Sequence, residues 1–200
     1  MCSDADPYPR CILLNGTSSS GKTSLAKALQ ELLPVVFLNF SIDSVLYTLP
    51  QSDLEAMIKG APIRRGEYRY DRLVDGLNAA VAGLLASGNR LIVDNAITRP
   101  EWKAAFDEAV AGHRTFRIGV TCEPEEARKR ELKRGDRAIG TVDRELPLVH
   151  EGMAYDLVVD TTQTPATAIA DLIIRQIVVA PTLACDPPPC SDHAKGAGSD

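Results

Sequence analysis

Apolar and polar positions fall in alternating blocks along the chain. Short, nearly unbroken apolar runs predict five strands, at about 11–15, 35–40, 90–94, 116–121 and 155–160. Between them, apolar residues recur every three to four positions, the spacing of a helix with one buried face. The first helix is expected at 22–33, stopped by Pro34, and a polar, partly helical stretch covers 43–65. Tyr70, Leu73, Val74, Leu77, Val81, Leu84 and Leu85 share one face of a helix that ends at Gly88. Pro100 opens a helix running to about 111, and Pro124 with Glu125 and Glu126 opens a basic one. Thr164 and Pro165 read as the cap and first turn of a last helix ending near 179.

Strands that are apolar throughout and separated by helices imply an α/β fold, a five-stranded parallel sheet with helices on both faces. Right-handed crossovers narrow the topology, with the third strand expected beside the first. Ligands of such sheets bind beyond the carboxyl ends of the strands. Residues 181–200 are rich in proline, glycine and polar residues. They are expected to be a disordered tail behind a single domain at 1–180.

One stretch between a strand and a helix carries specific chemistry: Gly16-Thr17-Ser18-Ser19-Ser20-Gly21-Lys22-Thr23, followed by Ser24. It fits the pattern GxxxxGK[ST] of a phosphate-binding loop (P-loop). Its glycines let the backbone fold into a nest of inward N–H groups, and the helix that starts there adds its positive end. Lys22 is placed to reach the β- and γ-phosphates of ATP, and the Thr23 hydroxyl to ligate Mg²⁺. A solvated serine-rich turn leaves the lysine and both glycines without a purpose.

Two carboxylates stand at strand ends. Asp43 follows the second strand in Ser41-Ile42-Asp43-Ser44, and Asp94 closes the third before Asn95. Asp43 is the candidate to accept or orient the proton of an acceptor hydroxyl, and Asp94 the candidate for the Mg²⁺ shell. Ser44 and Asn95 are taken as substrate-facing with them. The segment 128–137 holds six cations and two acids, and Gly135 interrupts it between Arg134 and Arg137. Small kinases carry a mobile lid here, so 128–147 is read as a lid whose Arg128, Arg134 and Arg137 clamp phosphate.

Composition removes some classes. A net charge of −5 argues against a broad nucleic-acid surface. No apolar stretch approaches the ~20 residues needed to span a bilayer, and the first residues are acidic and polar, unlike a secretory signal. A cytoplasmic location follows as an expectation. Cys2, Cys11, Cys122, Cys185 and Cys190 form no CxxC pair and no zinc spacing; Cys11 and Cys122 are expected to be buried thiols. The base-reading NKxD of GTPases is absent. Homo-oligomerisation is left open.

GTSSSGKT, SIDS, LIVDN, RGDRAIG and VHEGMAYDLVVDTT together resemble the chloramphenicol phosphotransferase-like group of ATP-dependent kinases, over about 12–177. The resemblance implies a fold like that of shikimate and adenylate kinases. It also implies transfer of the ATP γ-phosphoryl to a hydroxyl of an antibiotic or related metabolite. It makes Asp43 the general base, Arg134 and Arg137 the lid arginines, and the turn at Asp160-Thr161-Thr162 the border of the adenine, with Arg128 stacking above. Two features depart from the group: Asp94-Asn95 stands where two adjacent acids can occur, and the stretch 63–70 is basic and aromatic, so that Arg64, Arg65 and Arg69 could recognise an anionic or sugar-like acceptor, with a solvated loop as the equal alternative. His150 is expected in a post-lid turn, bonded to backbone, and Tyr155 in the core. The competing readings are a kinase of nucleotides or nucleotide sugars, and a non-catalytic nucleotide-binding regulatory module.

Overall fold

The computed structural model describes residues 6–135 and 138–179. Its elements run β1 (Cys11–Asn15), α1 (Lys22–Leu32), β2 (Leu38–Ser41), α2 (Ile42–Leu46), α3 (Gln51–Ile58), α4 (Tyr70–Ala86), β3 (Leu91–Asn95), α5 (Pro100–Ala109), β4 (Thr115–Thr121), α6 (Pro124–Arg134), α7 (Thr141–Glu145), β5 (Leu157–Asp160) and α8 (Ala166–Val179). The strands form one sheet in the order β2-β3-β1-β4-β5, parallel at every pairing, with β3 beside β1 as expected.

Alternation along β1 divides the core. Ile12 and Leu14 point to one face, where they meet Leu25 and Leu29 of α1 and Ile173 and Ile177 of α8. Cys11 and Leu13 point to the other, against Leu77 and Val81 of α4 and Phe106 of α5. Both faces are covered, so the central strand is apolar from Cys11 to Leu14. Burial pushes the Cys11 thiol up to about 12, in keeping with an inert core thiol. Cys122 is also buried and free. Cys2, Cys185, Cys190 and the expected tail lie outside the described residues. Among the described residues, no helix is long and apolar enough to cross a membrane.

Two strand boundaries differ from the sequence pattern. β2 begins at Leu38, not Val35, because its neighbour β3 offers no partner before Leu91. Val36 is 80% exposed there, while Phe37 turns into the core. β5 begins at Leu157, not Tyr155. The Tyr155 ring instead packs on Gly119, where an added Cβ would lie 2.9 Å from ring carbons. Pro100 and Pro124 occupy the first turns of their helices. α8 starts one residue late, its first helical bond accepted by the Pro165 carbonyl.

Gly135 ends α6 in the left-handed conformation, φ 67°. The buried Glu131 carboxylate then accepts the N–H groups of Gly140 at 2.9 Å and Val142 at 3.0 Å. A negative charge on the first amides of α7 fastens that helix to α6.

Phe106→Ala is expected to lower unfolding free energy by about 3–5 kcal/mol in urea titrations, the cost of a cavity in the α5 layer. Val158→Ala, at an exposed edge-strand position, is expected to stay within about 0.5 kcal/mol of the parent.

Candidate active site

The sheet register gathers the site. Leu14 pairs with Asp94, Asn15 with Asn95, and Ser41 with Asp94, so β1, β2 and β3 end at one level. The loop after β1 therefore emerges beside Asp94, and the turn into α2 beside both.

The loop requires its special residues. An added Cβ on Gly16 would stand 2.2 Å from the Val120 carbonyl oxygen, and Gly21 has φ 91°. Ser19 takes φ 58°, a conformation that L-residues avoid and that concentrates at ligand-binding turns. The hydroxyls of Ser18, Ser19 and Ser20 are buried without a hydrogen-bond partner in the protein. Unpaired buried donors are costly, and three on one nest of amides suit phosphate oxygens. The Lys22 ammonium, on a side chain 8% exposed, donates to the Gly16 carbonyl at 2.9 Å and the Thr17 carbonyl at 2.7 Å. It lies 3.8 Å from Asp94 Oδ1, while Thr23 Oγ1 donates to Asp94 Oδ2 at 2.7 Å.

Asp43 sits in the first turn of α2, where Arg134 of α6 reaches across to 3.8 Å. Ser44 points elsewhere. It is exposed, and its Oγ accepts the Ser41 N–H at 3.1 Å in a capping box. Asn95 borders the site, with its Oδ1 taking the Ala96 N–H at 2.9 Å.

Two cavities meet here. One, of ≈ 190 Å³, is lined by the loop from Ser18 to Ser24 with Asp43, Asp94, Arg130 and Arg134. The other, of ≈ 580 Å³, runs from Asp43 and Asn95 beneath Leu46, Met57, Tyr68 and Trp102. Tyr70 and Trp102 form a tilted ring pair at 5.6 Å, and the Arg99 guanidinium caps Trp102 at 4.6 Å. Arg64, Arg65 and Arg69 do not line this cavity, which fits the alternative of a solvated loop; the arginines that line it are Arg99 and Arg144. Arg65 pairs instead with Asp53 at 2.6 Å.

Among the lid cations, Arg128 does not reach the Thr161-Thr162 turn. It is exposed and paired with Asp143 of α7 at 2.8 Å, which raises its pKa. The guanidinium at that turn belongs to Arg130, which donates to the Thr161 carbonyl at 2.9 Å and the Thr162 carbonyl at 3.1 Å. Arg130 lies four residues before Arg134 and so shares its helix face, a spacing that the sequence displayed. Arg137 lies outside the described residues. Thr161 Oγ1 donates to the Ser20 carbonyl at 2.6 Å and ties the turn to the loop, whereas Thr162 Oγ1 accepts the Glu123 N–H at 2.9 Å.

Sequence patterns gave no sign of Asn15. It is fully buried, and its amide donates to the Val149 carbonyl and to Tyr155 Oη, each at 2.7 Å, while its Oδ1 accepts the Ile97 N–H at 2.8 Å. One side chain thus joins the start of the phosphate loop to the segments after β3 and α7. His150 bonds not to backbone but to Tyr155 Oη, through Nδ1 at 2.8 Å. Asn15 already donates to that oxygen. The phenol hydrogen then points at Nδ1, leaving a neutral imidazole protonated on Nε2. Burial, and then the Lys22 charge, hold the His150 pKa below 6.5. Tyr155 is half-buried, packed over Gly119 rather than sunk in the core.

A parallel five-stranded sheet with this loop, a carboxylate on the neighbouring strand and arginines on a nearby helix is the fold of the P-loop kinases. The sequence matches the chloramphenicol phosphotransferase-like protein family over residues 9–178, and the chain belongs to that family. A relative in Mycobacterium tuberculosis, "Putative O-phosphotransferase Rv2636", is 33% identical over 184 residues, covering 82% of this chain and 80% of the relative. Among solved structures, a sugar kinase from Janibacter sp. superposes with TM-score 0.64 at 18% identity, over 88% of this chain and 99% of that one. The shikimate kinase of Acinetobacter baumannii, in complex with shikimate, gives TM-score 0.58 at 20% identity, over 86% and 93%. The Mycobacterium tuberculosis APS kinase, in complex with AMPPNP and APS, gives 0.57 at 20%, over 86% and 99%. At these identities the likeness to the solved structures is one of fold.

The depressed His150 pKa carries a sign. The folded protein resists protonating this ring while the unfolded chain accepts a proton near pH 6.5, so stability is full above 6.5 and falls as pH drops below it. His150→Gln is expected to flatten part of that decline when melting temperatures are compared between pH 7.5 and pH 5.

Proposed function

We propose that the protein transfers the γ-phosphoryl group of ATP to a hydroxyl of a small, largely apolar, ring-bearing acceptor, an antibiotic of the chloramphenicol kind or a related metabolite. One observation carries the reading: Asp43 borders both the phosphate-loop cavity and the aromatic-walled cavity. A carboxylate at that junction can take the proton of a hydroxyl presented from one side while phosphorus is presented from the other. The hydroxyl oxygen bonds to the γ-phosphorus, the bond to the β–γ bridging oxygen breaks, and ADP leaves.

In this reading, the amides from Ser18 to Ser24, the nest beginning at Gly16 and Thr17, and the Lys22 ammonium hold the phosphates. Arg134, and Arg130 behind it, offset the charge that spreads over the transferred group. Arg137 is kept as a further lid cation. Thr23 and Asp94, already joined through oxygen atoms 2.7 Å apart, would hold Mg²⁺, which supplies charge neutralisation to the phosphates. The Thr161-Thr162 turn is assigned to the nucleotide side, and 128–147 to a lid. Arg99 and Arg144 also line the larger cavity, but Leu46, Met57, Tyr68 and Trp102 give it apolar and aromatic walls that suit a ring-bearing acceptor. Free thiols at Cys11 and Cys122 and the use of ATP suit the cytoplasm.

An ATP-consumption screen against hydroxylated antibiotics and metabolites is expected to yield a product heavier by one phosphate, seen by mass spectrometry. Asp43→Asn is expected to lower kcat by about 10²–10⁴-fold while leaving AMPPNP binding within about threefold of the parent. Equal losses in binding and turnover would remove Asp43 from the role of base.

A further inference from the structure

Glu145 ends α7, and its Oε2 accepts the Ser18 N–H at 2.5 Å. That amide belongs to the phosphate loop, and Ser18 lines the loop cavity. A carboxylate oxygen there takes the kind of bond that the nest offers a phosphate oxygen. Glu145 also lines the larger cavity, together with Asp43. Its carboxylate therefore approaches the loop from the acceptor side and stands between the two cavities, where a transferred group has to cross.

The surroundings let the side chain leave without the helix. The Glu145 carbonyl accepts the N–H groups of Leu148 and Val149, both at 2.9 Å, so its backbone is fixed by the following turn. The other end of α7 is held by Glu131, and its middle by the pair of Arg128 with Asp143. Rotation about its side-chain bonds carries the carboxylate off the Ser18 amide and leaves these backbone and helix contacts in place.

We propose that Glu145 competes with the transferred phosphoryl group for the Ser18 amide, and so determines how the site tells ATP from ADP. Two anionic acceptors cannot share one N–H, and like charges at contact distance repel. The terminal phosphate of ATP displaces the carboxylate into the acceptor cavity. ADP, which lacks that phosphate, leaves the carboxylate in place. After transfer, the returning carboxylate opposes the phosphoryl group now carried by the product and favours its departure. The proposal rests on the phosphotransferase reading but asks nothing of the acceptor's identity.

Calorimetric titrations without acceptor test it, with AMPPNP and ADP as probes of the parent, Glu145→Gln and Glu145→Ala proteins. The parent must bind AMPPNP; if it binds neither nucleotide, the phosphotransferase reading itself fails. With that established, Glu145→Ala is expected to bind AMPPNP about tenfold more tightly, the effect of removing one charge-assisted competitor. ADP binding is expected to change by less than about twofold. Glu145→Gln keeps the side-chain volume and an acceptor oxygen but loses the charge, so its AMPPNP affinity is expected to lie between the two. Equal tightening for both nucleotides would overturn the discrimination. Unchanged or weaker AMPPNP binding in both variants would overturn the competition and leave Glu145 a structural brace of the loop, which a lowered melting temperature would accompany.

Discussion

The parallel pairing of β1 with β3, Leu14 opposite Asp94 and Asn15 opposite Asn95, sets a carboxylate beside the helix that carries Lys22 and Thr23. Asp94 is 8% exposed, and a charge so placed persists only with partners. It has the Thr23 hydroxyl and the Lys22 ammonium. Shifting the register by one residue would turn Asp94 to the other face of the sheet and leave both the carboxylate and the ammonium without a counter-group. The apolar packing on both faces is what forbids that slip, since Leu13 and Val93 would exchange layers with Leu14 and Ile92.

A second set of bonds keeps the loop open at its base. Asn15 holds Val149, Ile97 and Tyr155 at once, so the segments that leave β3 and α7 are referred to the residue just before Gly16. Thr161 does the same on the β5 side through the Ser20 carbonyl. The strained Ser19 and the close approach of Gly16 to β4 are thereby fixed by structure on three sides. Lys22, bonded to two loop carbonyls, adds its charge while its stem stays buried.

The elements that the sequence made readable are those decided locally. Five apolar runs, a proline at each of two helix starts and the glycine pattern of the loop act within a few residues, and each appears close to its expected place. The boundaries that moved were decided at a distance: β2 waits for Leu91, and Tyr155 leaves the strand because Gly119 makes room for its ring. The site follows the same rule. Lys22, Thr23, Asp43 and Asp94 were legible because each is tied to a strand end. Arg128 and Arg130 sit two residues apart on one helix and so face different ways, and only the placement of the turn after β5 selects Arg130 for the Thr161 and Thr162 carbonyls. Glu145 lies 127 positions from the amide it meets, and no local pattern marks it. The larger cavity draws Leu46, Met57, Tyr68 and Trp102 from four separate segments, so its apolar character could not be summed from any one stretch.

That apolar character bears on the proposed chemistry beyond acceptor choice. A γ-phosphoryl group held beside water is exposed to hydrolysis, and a carboxylate that activates an alcohol could equally activate water. Asp43 faces a polar loop on one side and aromatic and aliphatic walls on the other. An acceptor that fills those walls drives water from the side on which the attacking oxygen must sit. The same displacement lowers the local dielectric and strengthens the attraction between Arg134 and the transferring group. In the proposed reaction the larger cavity would thus tie selectivity for a ring-bearing alcohol to protection of ATP, because a molecule apolar enough to dry the wall would leave Asp43 a single hydroxyl to act upon.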